Sequence, residues 1–371
     1  MFQVVAVSLN PALLSYLRKY CELNDPRWQL KIFPTVGSFA TAPRNNDSID
    51  LLFFDALGLT SSQEEKRLVC FMAPLALRVV VTNPEHDDVV LSHLDHFHSF
   101  IGASVEFDHL TQLFRNAERV KQLPQTALSK RLLSSFLHYP VFPRLSEQLQ
   151  RKLQDPKVEI SQVARLLEQD PVVVSRLMQL VNSPYMGFVS ETLSLDIAIS
   201  RLGLQVVNAL VLMLSLRSQL QGLDQAEHNK VLDNAMQFAN QCRELAKTAK
   251  LRRSQQDHVF IAAMFSCFGQ LLLLQNGFVL DDPQLQNSEP GAVRSDVAVT
   301  AHLLCLWGFD NRMLQPLLTQ HQFIASDEPD ADVSNCLYLA RLSRSELQAL
   351  PAAEKELIAA SVFSASLGLK P

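Results

Sequence analysis

Residues Glu159–Leu216 read EISQVARLLEQDPVVVSRLMQLVNSPYMGFVSETLSLDIAISRLGLQVVNALVLMLSL, and the spacing of apolar residues in this stretch decides the fold of the C-terminal part of the chain. It predicts four short helices around one core. Ser161 is placed to cap the first, whose Val163, Leu166 and Leu167 share a helical face. Asp170-Pro171 opens the second: a carboxylate accepts from the orphan N–H groups of a first turn, and proline needs no donor there. Val174, Leu177, Met178 and Val181 follow on one face, and Asn182-Ser183-Pro184 stops the run. The third helix carries Leu195, Ala198, Ile199 and Leu202, with Gly203 placed to end it in a left-handed conformation that a Cβ resists. The fourth, from Gln205, holds the unbroken run Ala209–Leu214, and a helix apolar on every side is a central one.

Asp170-Pro171, Arg176-Leu177-Met178, Leu180 to Gly187 and Ile199 to Gly203 together resemble the signature of the HDOD family. That family comprises bacterial output or signalling domains, similar to the HD metal-dependent phosphohydrolases but usually without their catalytic residues. The resemblance implies an all-α domain acting through protein–protein interaction. It implies as partners sensor kinases, diguanylate cyclase or phosphodiesterase proteins, or other regulators. A homodimer is compatible with it.

The bulk properties agree with two folded domains. The chain has 371 residues, of which 47% are apolar and 19% charged, a composition that sustains sizeable cores. Its formal net charge of −5 is spread evenly, with 11 basic and 14 acidic residues up to Leu123 and 22 and 24 beyond it. That balance gives no electrostatic footprint for nucleic acid or an anionic membrane. The basic cluster Lys250-Leu251-Arg252-Arg253 is expected to complement a helix dipole. MFQVVAV lacks the features of a secretory signal, and no apolar run approaches the roughly 18 residues of a membrane span. A cytoplasmic protein is expected. Cys21, Cys70, Cys242, Cys267, Cys305 and Cys336 have neither zinc nor disulfide spacing and read as reduced core residues.

Upstream, apolar runs at Gln3–Val7, Leu30–Phe33, Ile49–Phe54, Leu77–Val81 and Ser99–Ile101 alternate with helical or loop segments. Asn10-Pro11 caps the first helix, with Leu13, Leu14, Leu17, Tyr20 and Cys21 on one side. Five such runs predict a doubly wound, five-stranded parallel sheet of flavodoxin-like or receiver-like type over residues 1–123, with functional groups at the C-terminal strand ends. In order and length this region resembles the receiver domain of response regulators. Asp55 stands where a receiver has its phospho-accepting aspartate, and Thr82 where it has a sensing hydroxyl. The departures are large: Ser8-Leu9-Asn10 replaces the paired acids that hold magnesium, and Phe100-Ile101-Gly102-Ala103 offers no lysine. Phosphoryl transfer to a carboxylate needs a divalent cation and a positive group to neutralise the developing charge. One carboxylate is a poor cage for Mg²⁺, so a pseudo-receiver is expected, with Asp55 and Thr82 vestigial.

The histidines His86, His93, His96 and His98 fall in the last helix-to-strand connection, where solvent exposure and no organised metal site are expected. Glu106–Lys121 reads as a helix, and a second one from Thr126 turns Leu128, Leu132, Leu133 and Phe136 to one face. The prolines Pro140 and Pro143 resemble the entry to an HDOD domain. The boundary is therefore placed near Pro124, with the HDOD domain over 124–371 and a semi-rigid helical junction across 105–143. A long amphipathic helix covers Val231–Ala249, and a last helix runs from Ser345 with Leu357, Ile358 and Val362 on one side.

Whether the chain retains a metal centre separates an enzyme from an adaptor. HD phosphohydrolases activate water on a divalent metal held by histidines and a His-Asp doublet. In Phe260–Gly269, Ser266 and Cys267 stand where the doublet would be. Asp296 stands eleven residues before Trp307, where the family has histidine, and only His321 matches an imidazole of the pattern. One imidazole and one carboxylate on separate helices do not hold a catalytic ion, so no metal, no cofactor and no enzymatic activity are expected. No other catalytic motif stands out. The alternatives are a response regulator phosphorylated at Asp55, a metal-dependent HD-type phosphohydrolase using Asp296, His321 and Cys267, and, disfavoured by charge, a nucleic-acid binder.

Overall fold

In the computed structural model the first apolar run is strand β1 (Phe2–Val7), buried along its whole length. The structure describes residues 1–24, 27–42, 49–56, 62–81, 97–102, 107–136, 140, 143–181, 192, 194–219, 225–285, 292–325 and 329–367. After helix α1 (Pro11–Asn24) come β2 (Trp28–Phe33), α2 (Val36–Ala40), β3 (Leu51–Asp55), α3 (Gln63–Met72), β4 (Leu77–Val81) and β5 (Ser99–Ile101). The strands form one sheet in the order β2-β1-β3-β4-β5. Every neighbouring pair is parallel, with Val7 opposite Phe33 and Phe54, and Asp55 opposite Val81. Four strands have five or six residues and the fifth, at the edge, has three. The sheet is the N-terminal α/β fold expected. The order of its strands is the doubly wound one, whose direction of winding reverses between β1 and β3.

Alternation along the strands sends successive side chains to opposite faces. Val5, Val7, Leu52, Phe54 and Val80 pack with Val36 and Phe39 of α2, and with Val69 and Ala73 at α3. On the other face Phe53 meets Phe114 of helix α4 (Phe107–Gln122), which stacks on Tyr20 of α1 with ring centroids 4.1 Å apart and takes the Trp28 edge at 4.7 Å. Asn10 caps α1, accepting from Ala12 N at 3.0 Å and Leu13 N at 3.2 Å. Just before β3 the buried Asp50 is reached by the partly exposed Lys121 of α4 at 2.8 Å and also accepts from Gln3 N. Helix α5 (Ala127–Ser135) is capped by Thr126 and buries Leu132 and Leu133.

The rest of the chain is helical. In order come α6 (Arg144–Leu153), α7 (Ile160–Leu167), α8 (Pro171–Val181), α9 (Leu195–Leu202), α10 (Leu204–Gln219), α11 (Gln225–Thr248), α12 (Arg253–Phe265) and α13 (Phe268–Gln275). They are followed by α14 (Ser295–Leu306), α15 (Asn311–Leu318), α16 (Pro329–Arg341), α17 (Arg344–Ala349), α18 (Ala352–Ala359) and α19 (Ser364–Leu367). Two compact units divide these elements: Met1–Val141 with Asn276–Phe309, and Phe142–Gln275 with Asp310–Pro371. The first unit thus extends past the boundary expected near Pro124 and recruits α14, a segment expected in the second. Of the twelve residues of α14 only Asp296 is not buried, and the helix packs on α4 and α5. A helix apolar on every side is stable only where it is enclosed on every side.

In the second unit α10 is central, as its composition demands. Val206, Val207 and Ala209 to Met213 are buried, with α6, α8, α9 and α12 packed around them. Asp170 caps α8 by accepting from Val173 N at 3.1 Å. Local readings are corrected in four places. The residue ahead of α7 is Glu159 rather than Ser161, and its side chain makes no capping bond. Gly203 has the positive φ of 86° foreseen, but its ψ of 150° lies outside the left-handed helical well. The C-terminal segment is broken at Pro351 between α17 and α18 and again after Ala359 before α19, and Leu357 and Val362 are half exposed. The stretch Arg253–Gln275 is long and apolar enough to cross a membrane by composition, longer than any run counted in the sequence, and it lies mostly buried in this unit.

Candidate functional site

The reversal point of a doubly wound sheet opens a crevice at the C-terminal ends of its two central strands. Here β1 runs into Ser8 and β3 ends on Asp55, and both are buried. The Ser8 hydroxyl donates to Asp55 Oδ2 at 2.7 Å and accepts from Asn10 N at 2.9 Å. The Asn10 side chain is spent on capping α1. Asp55 therefore lies where the reading placed it, at the end of the third strand, and its neighbour on β1 is a hydroxyl and not a second carboxylate. A hydroxyl supplies a hydrogen bond to one carboxylate oxygen but no negative charge toward a cation. Thr82, His86, His93 and His96 lie outside the described residues.

His98 departs from its expected exposure. It is buried, with Nδ1 accepting from Arg78 N at 3.1 Å and Nε2 lying 2.8 Å from the Arg78 guanidinium. Arg78 is itself buried, and its Nη1 donates to the carbonyls of Ala73 and Pro74, both at 3.2 Å. Burial first, then the positive charge of Arg78 and the proximity of His302, hold the His98 imidazole well below its ordinary range. His302, on α14, is fully enclosed and lies 3.1 Å from Gln125 Nε2 through Nδ1. Burial, with a contribution from Arg78, pushes it down to about 3. The sequence reading assigned no role to this trio. Arg78 was the available signal, since a charge inside the otherwise apolar strand Leu77–Val81 has to be met by buried polar groups.

The positions corresponding to the metal site of HD hydrolases are divided between the two units. Ser266 and Cys267 follow α12 in the second unit, where the hydroxyl donates to Ala263 O at 2.7 Å and the thiol to Met264 O at 3.2 Å. Burial pushes the Cys267 thiol up to about 12. Asp296 heads α14 in the first unit, held by Arg294 at 3.1 Å and accepting from Val297 N. His321 is exposed, just past α15 in the second unit. Among the described residues no three His, Cys, Asp or Glu side chains are grouped so as to hold a metal ion. No disulfide joins the six cysteines, five of which are buried and Cys70 partly so.

Residues 139–323 match the HDOD domain family. An uncharacterized protein of Treponema pallidum (strain Nichols) is 26% identical over 147 residues, which are 39% of this chain and 27% of that protein, so the chain spans about a quarter of the length of this curated relative. Among solved structures, an HDOD domain protein with unknown function from Geobacter sulfurreducens is 20% identical, covering 66% of this chain and 89% of its own with a TM-score of 0.47. A protein provisionally described as a phosphohydrolase from Shewanella amazonensis SB2B is 19% identical, covering 66% and 90% with a TM-score of 0.46.

Proposed function

We propose, from the premise that residues 139–323 are an HDOD domain, that this chain is a non-catalytic signal-transduction protein. In this reading a degenerate receiver-like domain is coupled to an HDOD domain that acts by holding other signalling proteins. The observation that carries it lies at Ser266 and Cys267. Where the HD hydrolases have adjacent metal ligands, this chain has a hydroxyl and a buried neutral thiol, each turned back to a carbonyl at the end of α12. Asp296 is committed to Arg294, and one imidazole at His321 does not make a water-activating centre. Partners by family resemblance are sensor kinases and proteins that make or degrade cyclic dinucleotides.

The reading is tested by incubating the full chain with Mn²⁺ and a panel of phosphomonoesters, phosphodiesters and cyclic dinucleotides, alongside elemental analysis of the purified protein. The expected result is no turnover and no stoichiometric divalent metal. Turnover that a Cys267→Ala or His321→Ala substitution abolished would overturn it. A second reading has the support of one observation: Asp55 sits at the end of β3 beside the reversal point of the sheet. If it accepts a phosphoryl group, acetyl phosphate with Mg²⁺ adds about 80 Da to the intact mass, and Asp55→Asn removes the addition. On the pseudo-receiver reading the mass stays unchanged, because Ser8 contributes no charge to a cation site.

A further inference from the structure

Helix α14 lies within the sequence of the HDOD domain, yet it is built into the first unit together with the α/β sheet. Its contacts there are specific. His302 Nδ1 is 3.1 Å from Gln125 Nε2, in the turn between α4 and α5. Cys305 Sγ points at Asn116 O of α4, at 3.8 Å. Gly308, just past the helix with φ of 85°, has Asn116 so close that an added Cβ would lie 3.1 Å from its Nδ2. Trp307 Nε1 donates to Pro140 O at 3.3 Å.

His302 is the one imidazole on the helix, and the charged and titratable groups around its packing site are largely cationic or neutral. Arg78, on β4, acts electrostatically on both imidazoles, and His302 acts on His98, the residue before β5. Arg119 on α4 acts on the Cys305 thiol of α14 itself, and the Cys70 thiol on α3 feels Arg78. A proton added to either histidine therefore places a second buried positive charge close to a guanidinium already removed from water. Such a charge has to be hydrated or separated.

We infer that the buried Arg78, His98 and His302 form an acid-sensitive latch, holding α14 against α4 and α5 while both imidazoles are neutral and releasing the helix when they take up protons. Within its own unit α14 is held by contacts with α4, α5 and the turn between them. Release would withdraw one helix of the HDOD sequence from its packed state, so acid would alter that domain through an element enclosed in the first unit. The inference concerns the packing of α14 and stands whether the HDOD domain holds a partner or performs chemistry.

The test uses the full chain and a pyridyl disulfide reagent, which captures thiols in acid as well as at neutral pH, with labelling followed cysteine by cysteine through peptide mass spectrometry. Cys305 reports on α14; Cys242 and Cys336, both fully buried in α11 and α16, report on the second unit. The expected result is a Cys305 labelling rate that rises below pH 6.5 by about tenfold per pH unit for each imidazole involved, with Cys242 and Cys336 unchanged. His302→Gln removes one imidazole and lowers that slope. If this variant folds poorly, His98→Gln gives the same comparison, and the wild-type pattern of local against global labelling stands alone. Cys305 labelling that stays flat from pH 7.5 to 4.5 would overturn the inference. So would labelling of all three thiols together, or a variant slope equal to that of the wild type.

Discussion

At position 8 a hydroxyl decides what Asp55 is bonded to. Its bond of 2.7 Å to a fully buried carboxylate is short, and buried polar pairs of this kind are costly to break. Ser8→Ala removes the donor and leaves the acid in place. The expected loss is about 1–3 kcal/mol, read as a lower urea midpoint with unchanged m-value. Gly308 raises a backbone question at the same scale. Its φ of 85° is a conformation that L side chains rarely adopt, and a Cβ there would press on Asn116. Gly308→Ala is expected to destabilise the first unit by about 1–3 kcal/mol, measured by the same titration. Gly203 shares the positive φ but has open space around it, so Gly203→Ala should cost less.

Elements in this protein differ in how they answer to acid. The folded imidazole of His302 gives up its proton down to about 3, while in the unfolded chain it takes one up below about 6.5. Between those values the unfolded chain binds more protons. The stability contributed by the neutral histidine is therefore complete above pH 6.5 and is lost as the pH falls toward 3, by about 1.4 kcal/mol per pH unit. His98 is shifted in the same direction and adds to the loss. Urea unfolding of the first unit, followed through Trp307 in a Trp28→Phe background, should show this decline. Substituting His302 with glutamine should reduce it. The strand that carries Arg78 could be read as a strand from its apolar run, and its burial followed. That its guanidinium would meet the imidazole just before β5 and act electrostatically on the one in α14, at sequence separations of 20 and more than 200 residues, could not be read, because nothing local links those positions.

At the scale of the whole molecule the family domain and the compact unit do not coincide. The HDOD match runs over 139–323, but Asn276–Phe309 belongs to the first unit. A truncated chain beginning at residue 139 would keep α14 without α4 and α5. Its apolar residues, including Val297, Val299, Leu303 and Leu304, would lose that cover. The expected outcome is rapid amide hydrogen exchange over 295–306 and a greater tendency to aggregate than the full chain, while α10 stays protected. Equal protection of α14 in both proteins would show that the helix is held without the N-terminal elements.

The helices and strands of this protein were legible because their causes are local. Apolar spacing, the caps at Asn10, Thr126 and Asp170, and the stops at glycine and proline act over one or two turns. The same kind of reading placed Asp55 at the end of β3. Tertiary structure decided the rest: that Ser8 bonds Asp55, that His98 is buried on Arg78, and that α14 packs on α4 and α5. Each of these joins side chains from distant segments. Enclosure selects such partners, and one-dimensional spacing carries no record of which distant groups will share a buried volume.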